Sequence, residues 1–280
     1  MLWFYLVASA ALVPISDIFF DVLRESYSWW FVPVLYIGFL LAFILIHVVF
    51  VVTAIALINP NSPPERFSRF YRTLVDLSLP MVFTFARIKV EITGKEKVPQ
   101  DTRFLLVSNH LHDLDPAIIL YSLPEAELGF VGKKEIYTQM PFVSRAMHKL
   151  NCLPIDRENN REAVKTIISA AKLISEDKAS MVIFPEGYCS KDGDLQPLRN
   201  GALKIAYKAK VPIVVCTLDH TKQLPKNIFR RKTVIHFDIL DVVTARELET
   251  VNSTEIGDRI FDTMQKNILR RRQEENAESK

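Results

Sequence analysis

Glycine is scarce in this chain, eight among 280 residues, and its positions exclude several common chemistries. No two glycines lie four apart, so the GxSxG turn of a serine hydrolase is absent. No glycine pair precedes Lys-Ser or Lys-Thr at P-loop spacing, and GxGxxG does not occur. None of the six histidines is followed by Glu, which removes the HExxH zinc helix. The three cysteines, Cys152, Cys189 and Cys216, are odd in number and form no CxxC pair. Neither a zinc site nor a disulfide framework is indicated, and a reducing compartment is the simplest reading. A net charge of +3 offers little to a polyanion, so no nucleic-acid partner is expected.

Charge is missing altogether from Ser26 to Pro64. Inside that gap, residues 31–58 are nearly continuously apolar, and a bilayer core needs roughly 20 such residues in a helix. We expect a membrane span there, with Trp29 and Trp30 as interfacial aromatics and His47 as a packed polar residue near its middle. Residues 1–20 are apolar but carry Pro14, Ser16 and Asp17 and no basic leader, so a short membrane helix or re-entrant half is favoured over a cleaved signal. Together, residues 1–64 read as a membrane-anchoring hairpin that ends in the Asn59–Pro64 linker. Arg66, Arg69 and Arg72 follow, and by the positive-inside rule they place the rest of the chain on the cytoplasmic face. Residues 65–86 mix Arg with large apolar side chains. They suit an amphipathic helix at the interface, although an ordinary domain helix would leave the same stripe.

From residue 87 to 280 the composition changes to alternating strands and helices. Strands are expected at 88–92, 104–107, 128–132, 180–184, 212–218 and 233–240, and amphipathic helices at 161–175 and 255–269. From Arg270 onward the chain reads as a charged, frayed tail. The order points to an α/β domain with a mixed β-sheet flanked by helices.

One stretch dominates the chemistry. Leu105-Leu106-Val107 reads as a buried strand that runs into Ser108-Asn109-His110-Leu111-His112-Asp113-Leu114-Asp115-Pro116. Pro116 opens a helix, with Asp115 as its expected N-cap. His110 is the candidate base and Asp115 the carboxylate that orients it, since a carboxylate on one ring nitrogen leaves the other free to take a proton. His112 with Asp115, or His110 with Asp113, are alternative pairings at this spacing, and turn and capping chemistry alone would also use these residue types.

Three further features follow: Lys133-Lys134-Glu135 with Ile155-Asp156-Arg157, then Phe184-Pro185-Glu186-Gly187-Tyr188-Cys189-Ser190, then Leu198-Arg199-Asn200-Gly201-Ala202 with Val211-Pro212-Ile213-Val214-Val215. Taken alone, Lys133, Lys134 and Arg199 read as solvated charges. Glu186, behind a buried strand, needs a partner, and Arg157 or Lys133 is the expected one.

These features in this order resemble the phospholipid/glycerol acyltransferase family, whose best-known members are 1-acyl-glycerol-3-phosphate acyltransferases. The resemblance runs from about Asn109 to Val215. It implies a His110–Asp115 catalytic dyad, and substrate binding through Asn109, Lys133, Lys134, Arg157, Glu186, Gly187, Arg199 and Gly201. It also implies a fatty acyl chain moved from acyl-CoA or acyl carrier protein to a lysophospholipid hydroxyl, with membrane lipids as surroundings and neither a metal nor another cofactor. Tyr188 and Cys189 stand where the family usually carries Thr and Arg, Val215 where it has a second proline, and Asn151 where it has Gly. The missing Arg leaves two other readings beside the first: a different lysolipid acceptor, or a silent membrane-anchored lipid-binding protein.

Overall fold

The computed structural model describes residues 1–20, 31–59, 68–228 and 230–278. The chain forms two compact units, Met1–Asn59 and Pro60–Lys280. In the first, helix α1 (Leu2–Phe20) packs on helix α2 (Phe31–Ala56). Tyr5 stacks on Phe43 at 5.8 Å and meets the edge of His47 at 6.0 Å, which gives that histidine the packed role expected of it. Among the described residues, only α2 is long and apolar enough to cross a bilayer; the apolar part of α1, Leu2–Ser16, is shorter. Trp29, Trp30, Arg66 and most of the Asn59–Pro64 linker lie outside the described residues.

The second unit runs α3 (Arg69–Phe85), β1 (Ile88–Thr93), β2 (Leu105–Ser108), α4 (Asp115–Ser122), β3 (Leu128–Lys133), α5 (Lys134–Gln139), α6 (Pro141–His148), β4 (Leu153–Ile155), α7 (Asn160–Ser175), β5 (Ser180–Ile183), α8 (Lys204–Ala209), β6 (Ile213–Asp219), α9 (Leu224–Asn227), β7 (Thr233–Val243), α10 (Ala245–Thr250) and α11 (Ser253–Glu278). The strands form one seven-stranded sheet in the order β1-β7-β6-β2-β5-β3-β4. The five strands from β6 to β4 run parallel. β7 returns antiparallel on β6, and β1 pairs parallel with β7. The sheet is therefore mixed, and the C-terminal ends of β2, β3, β4, β5 and β6 share one edge, where α/β sheets collect their chemistry.

Strand alternation builds the two covering layers. Leu106, Val182 and Val214 face a core closed by Phe83 of α3 and by Ile118 and Ile119 of α4. Leu105, Val107, Met181, Ile183, Ile213 and Val215 face the other, closed by Ile167 of α7, Ile205 of α8 and Ile260 and Met264 of α11. Each such buried aliphatic side chain contributes about 1.5–3 kcal/mol, so both layers are needed to hold the central strands. The strand β4 was not expected. It is three residues long and contains Pro154, which hides a strand signal.

Two expectations change. Arg72, counted among the positive-inside charges, is buried. Its guanidinium donates to the carbonyls of Leu120, Leu123 and Ala126 at 2.9–3.1 Å and to Asp76, capping the C-terminal end of α4. α3 packs on α4 and β1, with Phe83, Val75 and Leu79 joining their core, and leaves Phe70, Val82 and Phe85 exposed. The expected frayed tail is helical to Glu278, because its arginines find partners. Arg271 makes a two-point ion pair with the buried Asp238 at 2.6 and 2.8 Å, and Arg272 binds Asp194 and the Gly193 carbonyl.

Candidate active site

β2 ends at Ser108, and the next residue closes the strand. Asn109 is buried, and its side-chain amide is used at both ends by one backbone unit. Its Nδ2 donates to the Leu218 carbonyl at 2.9 Å, and its Oδ1 accepts from the Leu218 N–H at 2.7 Å. It extends the β2–β6 pairing by one side chain, which gives it a structural role.

His110 follows, held by four contacts. Its N–H donates to Glu186 Oε1 at 2.7 Å, and its carbonyl accepts from the Ser190 N–H at 2.8 Å. Its ring stacks on Phe184, centroids 4.3 Å apart and planes 17° from parallel. Its Nδ1 lies 2.9 Å from Asp115 Oδ2. A carboxylate only accepts, so Nδ1 carries the proton and Nε2 is left with its lone pair.

Asp115 is fully buried, and the same Oδ2 also accepts from the N–H groups of Leu111 and His112 at 2.7 and 2.9 Å. It is the first residue of α4, and Leu114 is the N-cap. The expected capping role is thus corrected: the carboxylate turns back into the preceding loop, away from the helix amides. That loop settles the pairing. His112 accepts from the Leu114 N–H through Nδ1 at 3.2 Å, and Asp113 faces Cys189, with Sγ 3.7 Å from Oδ1.

Glu186, just past β5, is buried, and its expected partner is corrected. Among the described residues the carboxylate meets no guanidinium or ammonium. Oε1 takes the His110 N–H, and Oε2 takes the Gln196 N–H at 3.0 Å. Burial pushes this carboxyl up to about 7, while the two amide donors pull the other way. Its role in the geometry is to tie the loop after β2 to the loop after β5.

Gly187 has φ 86°, in the left-handed region, and a Cβ there would stand 3.0 Å from Arg199 Nε. Only glycine lets the Arg199 side chain lie over this turn. Arg199 and the half-buried Arg157 then share a cavity of about 410 Å³ with Phe184, Gly187 and Gly201. Val131, Ile155 and Val164 supply apolar wall, and Lys204 and Lys208 add two more cations. Neither guanidinium makes an ion pair among the described residues. Burial, with Arg199 as a like charge nearby, holds the Arg157 pKa below its usual value. A Cβ at Gly201 would meet nothing within 4 Å, so no close approach demands that glycine.

Lys133 and Lys134 are exposed at the end of β3 and pair with Glu135 at 3.7 Å and Asp156 at 3.3 Å. The structure ties His110 to Asp115 and Glu186, and the Phe184 ring under His110 also lines the cavity of Gly187, Arg157 and Arg199; His110, Asp115, Glu186 and the two lysines do not line it. Lys204 and Lys208 escaped sequence reasoning, although their i, i+4 spacing directly after Gly201 was a usable signal. Burial, then the Asp113 carboxylate, push the Cys189 thiol up to about 12, which disfavours the free thiolate a nucleophile would need.

Comparison with known proteins bears on the family and the fold. The family described as Acyltransferase matches residues 89–219. A probable 1-acyl-sn-glycerol-3-phosphate acyltransferase from Mycoplasma pneumoniae is 35% identical over 166 residues, 58% of this chain and 59% of that protein. The chain thus spans about three fifths of that relative's length. A 1-acyl-sn-glycerol-3-phosphate acyltransferase from Haemophilus influenzae is 30% identical over 187 residues, 65% of this chain and 75% of that protein. The crystal structure of the 1-acyl-sn-glycerophosphate acyltransferase PlsC from Thermotoga maritima superposes with a TM-score of 0.60 at 20% identity, covering 97% of this chain and 98% of that one, which shows the fold. With the mixed sheet, the strand-end histidine and carboxylate, and these relatives, the chain belongs to the acyltransferase family.

Proposed function

We propose that the protein is a membrane-bound O-acyltransferase that moves a fatty acyl chain from acyl-CoA or acyl carrier protein to the free hydroxyl of 1-acyl-glycerol-3-phosphate, giving phosphatidic acid. The observation that carries this reading is the His110 Nδ1–Asp115 Oδ2 contact of 2.9 Å, which leaves Nε2 to act as the base. Nε2 takes the proton of the acceptor hydroxyl as its oxygen attacks the thioester carbon. The thiolate then leaves and recovers that proton from the imidazolium, with no acyl-enzyme. Asp115 holds the tautomer and the cation, and base catalysis of this kind is worth about 10²–10⁴-fold.

Arg157 and Arg199 fit a phosphate held beside the Phe184–Gly187 turn, and the apolar wall of the same cavity fits an acyl chain. Two guanidiniums suit a phosphomonoester because each can donate two parallel hydrogen bonds to it. In this reading α2 crosses the bilayer and the α/β unit lies on the cytoplasmic face, supported by the length of α2 and by Arg69 just after it.

One observation favours a second acceptor. Asp113 sits against Cys189, where the family usually carries Arg, so that corner is acidic rather than basic. A lysolipid with a neutral or zwitterionic head would suit it. The test is purified protein in detergent, given acyl-CoA and an equimolar panel of lysolipids, with CoA release and the product lipid both measured. Phosphatidic acid as the dominant product supports the first reading and another phospholipid the second. No CoA release with any acceptor contradicts both.

A further inference from the structure

The loops after β2 and β5 bring a third chemistry to the same edge. His110, Asp113 and Cys189 each offer one ligand atom, and these atoms all lie within 4.8 Å of one another. A zinc ion bound by one nitrogen, one oxygen and one sulfur holds those atoms roughly 3.4–3.6 Å apart in a tetrahedron. The Cys189 Sγ to Asp113 Oδ1 separation is already 3.7 Å. We propose that His110, Asp113 and Cys189 form a three-ligand site for a soft divalent cation of the zinc class, whose occupation switches acyl transfer off. The consequence for turnover, though not the binding itself, rests on the reading of His110 as the base.

Three features support the cluster as a site. First, the imidazole is oriented. Asp115 holds Nδ1, so Nε2 is the nitrogen left to ligate, and a carboxylate behind a ligating histidine is the arrangement that raises its basicity and fixes its ring. Second, the two loops are cross-tied by hydrogen bonds, from the His110 N–H to Glu186 and from the Ser190 N–H to the His110 carbonyl, so the ligands do not have to be gathered from separate, untied segments. Third, the ligand set is mixed. Thiolate, imidazole and carboxylate together suit zinc-class ions better than the hard ions magnesium and calcium, which want oxygen alone.

Charge works the same way. Asp113 and Asp115 disfavour a bare thiolate between them and favour a dication there. On binding, the Cys189 thiol proton leaves to solvent and sulfur takes the metal in its place. The Nε2 lone pair becomes a metal bond and no longer accepts the acceptor's proton. An open fourth position is left for water. In a relative with Arg at the position of Cys189, a guanidinium would repel the ion, so the site belongs to this chain's own departure from its family.

Cobalt(II) as the probe separates binding from turnover. The purified full chain titrated with Co²⁺ should show a thiolate-to-metal charge-transfer band that Zn²⁺ abolishes at one equivalent. Cys152 and Cys216 are buried, so Cys189→Ser should remove the band. In parallel, Zn²⁺ should stop CoA release, and a chelator should restore it. In Cys189→Ser and in Asp113→Asn, each measured against its own metal-free rate, the Zn²⁺ concentration for half inhibition should rise at least tenfold. Absence of the band, its persistence in Cys189→Ser, a band without inhibition, or inhibition unchanged in both variants would each overturn the proposal. If the band forms but the metal-free protein releases no CoA, the acyltransferase reading fails while the metal site stands.

Discussion

Glu186 Oε1 accepts the backbone N–H of His110 at 2.7 Å, so a buried carboxylate from one strand end fixes the main chain of the candidate base at another. Burial raises that carboxyl from its ordinary 4.5 to about 7. Between those values the folded chain keeps a proton that the unfolded chain has lost. Unfolding therefore releases a proton, and stability falls as pH rises. Glu186→Gln has no such group. The wild type should lose stability relative to Glu186→Gln as pH rises from 4.5 to 7, by about 3 kcal/mol at most at 1.36 kcal/mol per unit. Thermal unfolding of both proteins across that range checks the slope. A difference that is flat or rises with pH contradicts the buried, proton-holding carboxyl.

Arg157 and Arg199 face one cavity without carboxylate partners among the described residues. Charge-assisted hydrogen bonds are worth about 1.5–3 kcal/mol each, so Arg157→Ala and Arg199→Ala should each raise KM for a phosphate-bearing lysolipid about 10–100-fold, with kcat changed little. A lysolipid lacking the phosphomonoester should show almost no change. Equal losses on both acceptors would mean that the guanidiniums shape the cavity rather than read the phosphate.

Arg271 anchors the last helix to the sheet through Asp238. Hydrogen bonds from Arg271, Asn267 and Thr93 hold the Asp238 carboxyl at about 2 against the opposing effect of burial. Its contribution is present above the ordinary carboxylate range and is lost as pH falls toward 2. Arg271→Ala leaves that carboxylate buried without its cation, which typically costs about 3–5 kcal/mol. Denaturant unfolding at pH 7 should show this loss. A variant as stable as wild type would mean that the tail is dispensable.

The periodic parts of the fold were legible in the sequence. β2, β5 and β6 are buried runs, and Leu105 against Leu106 alternates between the two cores as a strand must. The histidine and carboxylate were legible too, because residues 110 and 115 sit on one short loop. Long-range effects were not. Arg72 looks like a surface charge in sequence and Glu186 like a carboxylate in need of a cation, but the groups that hold them are mostly backbone, which carries no residue identity. The tail beyond Arg270 has the composition of a frayed end, and partners such as Asp238 and Asp194, brought near by the fold, hold its helix. Asn109 is the converse, a motif residue whose polar atoms are already spent on Leu218. Asp113 and Cys189 lie 76 residues apart, too far for any local pattern to join them.

The central claim is that His110 Nε2 removes the acceptor's proton. The most direct test is CoA release from acyl-CoA with a saturating lysolipid acceptor, wild type against His110→Ala, alongside membrane partitioning of both. The account predicts that His110→Ala partitions like wild type and that kcat falls by at least about 10²-fold. Release at the wild-type rate in His110→Ala would contradict it.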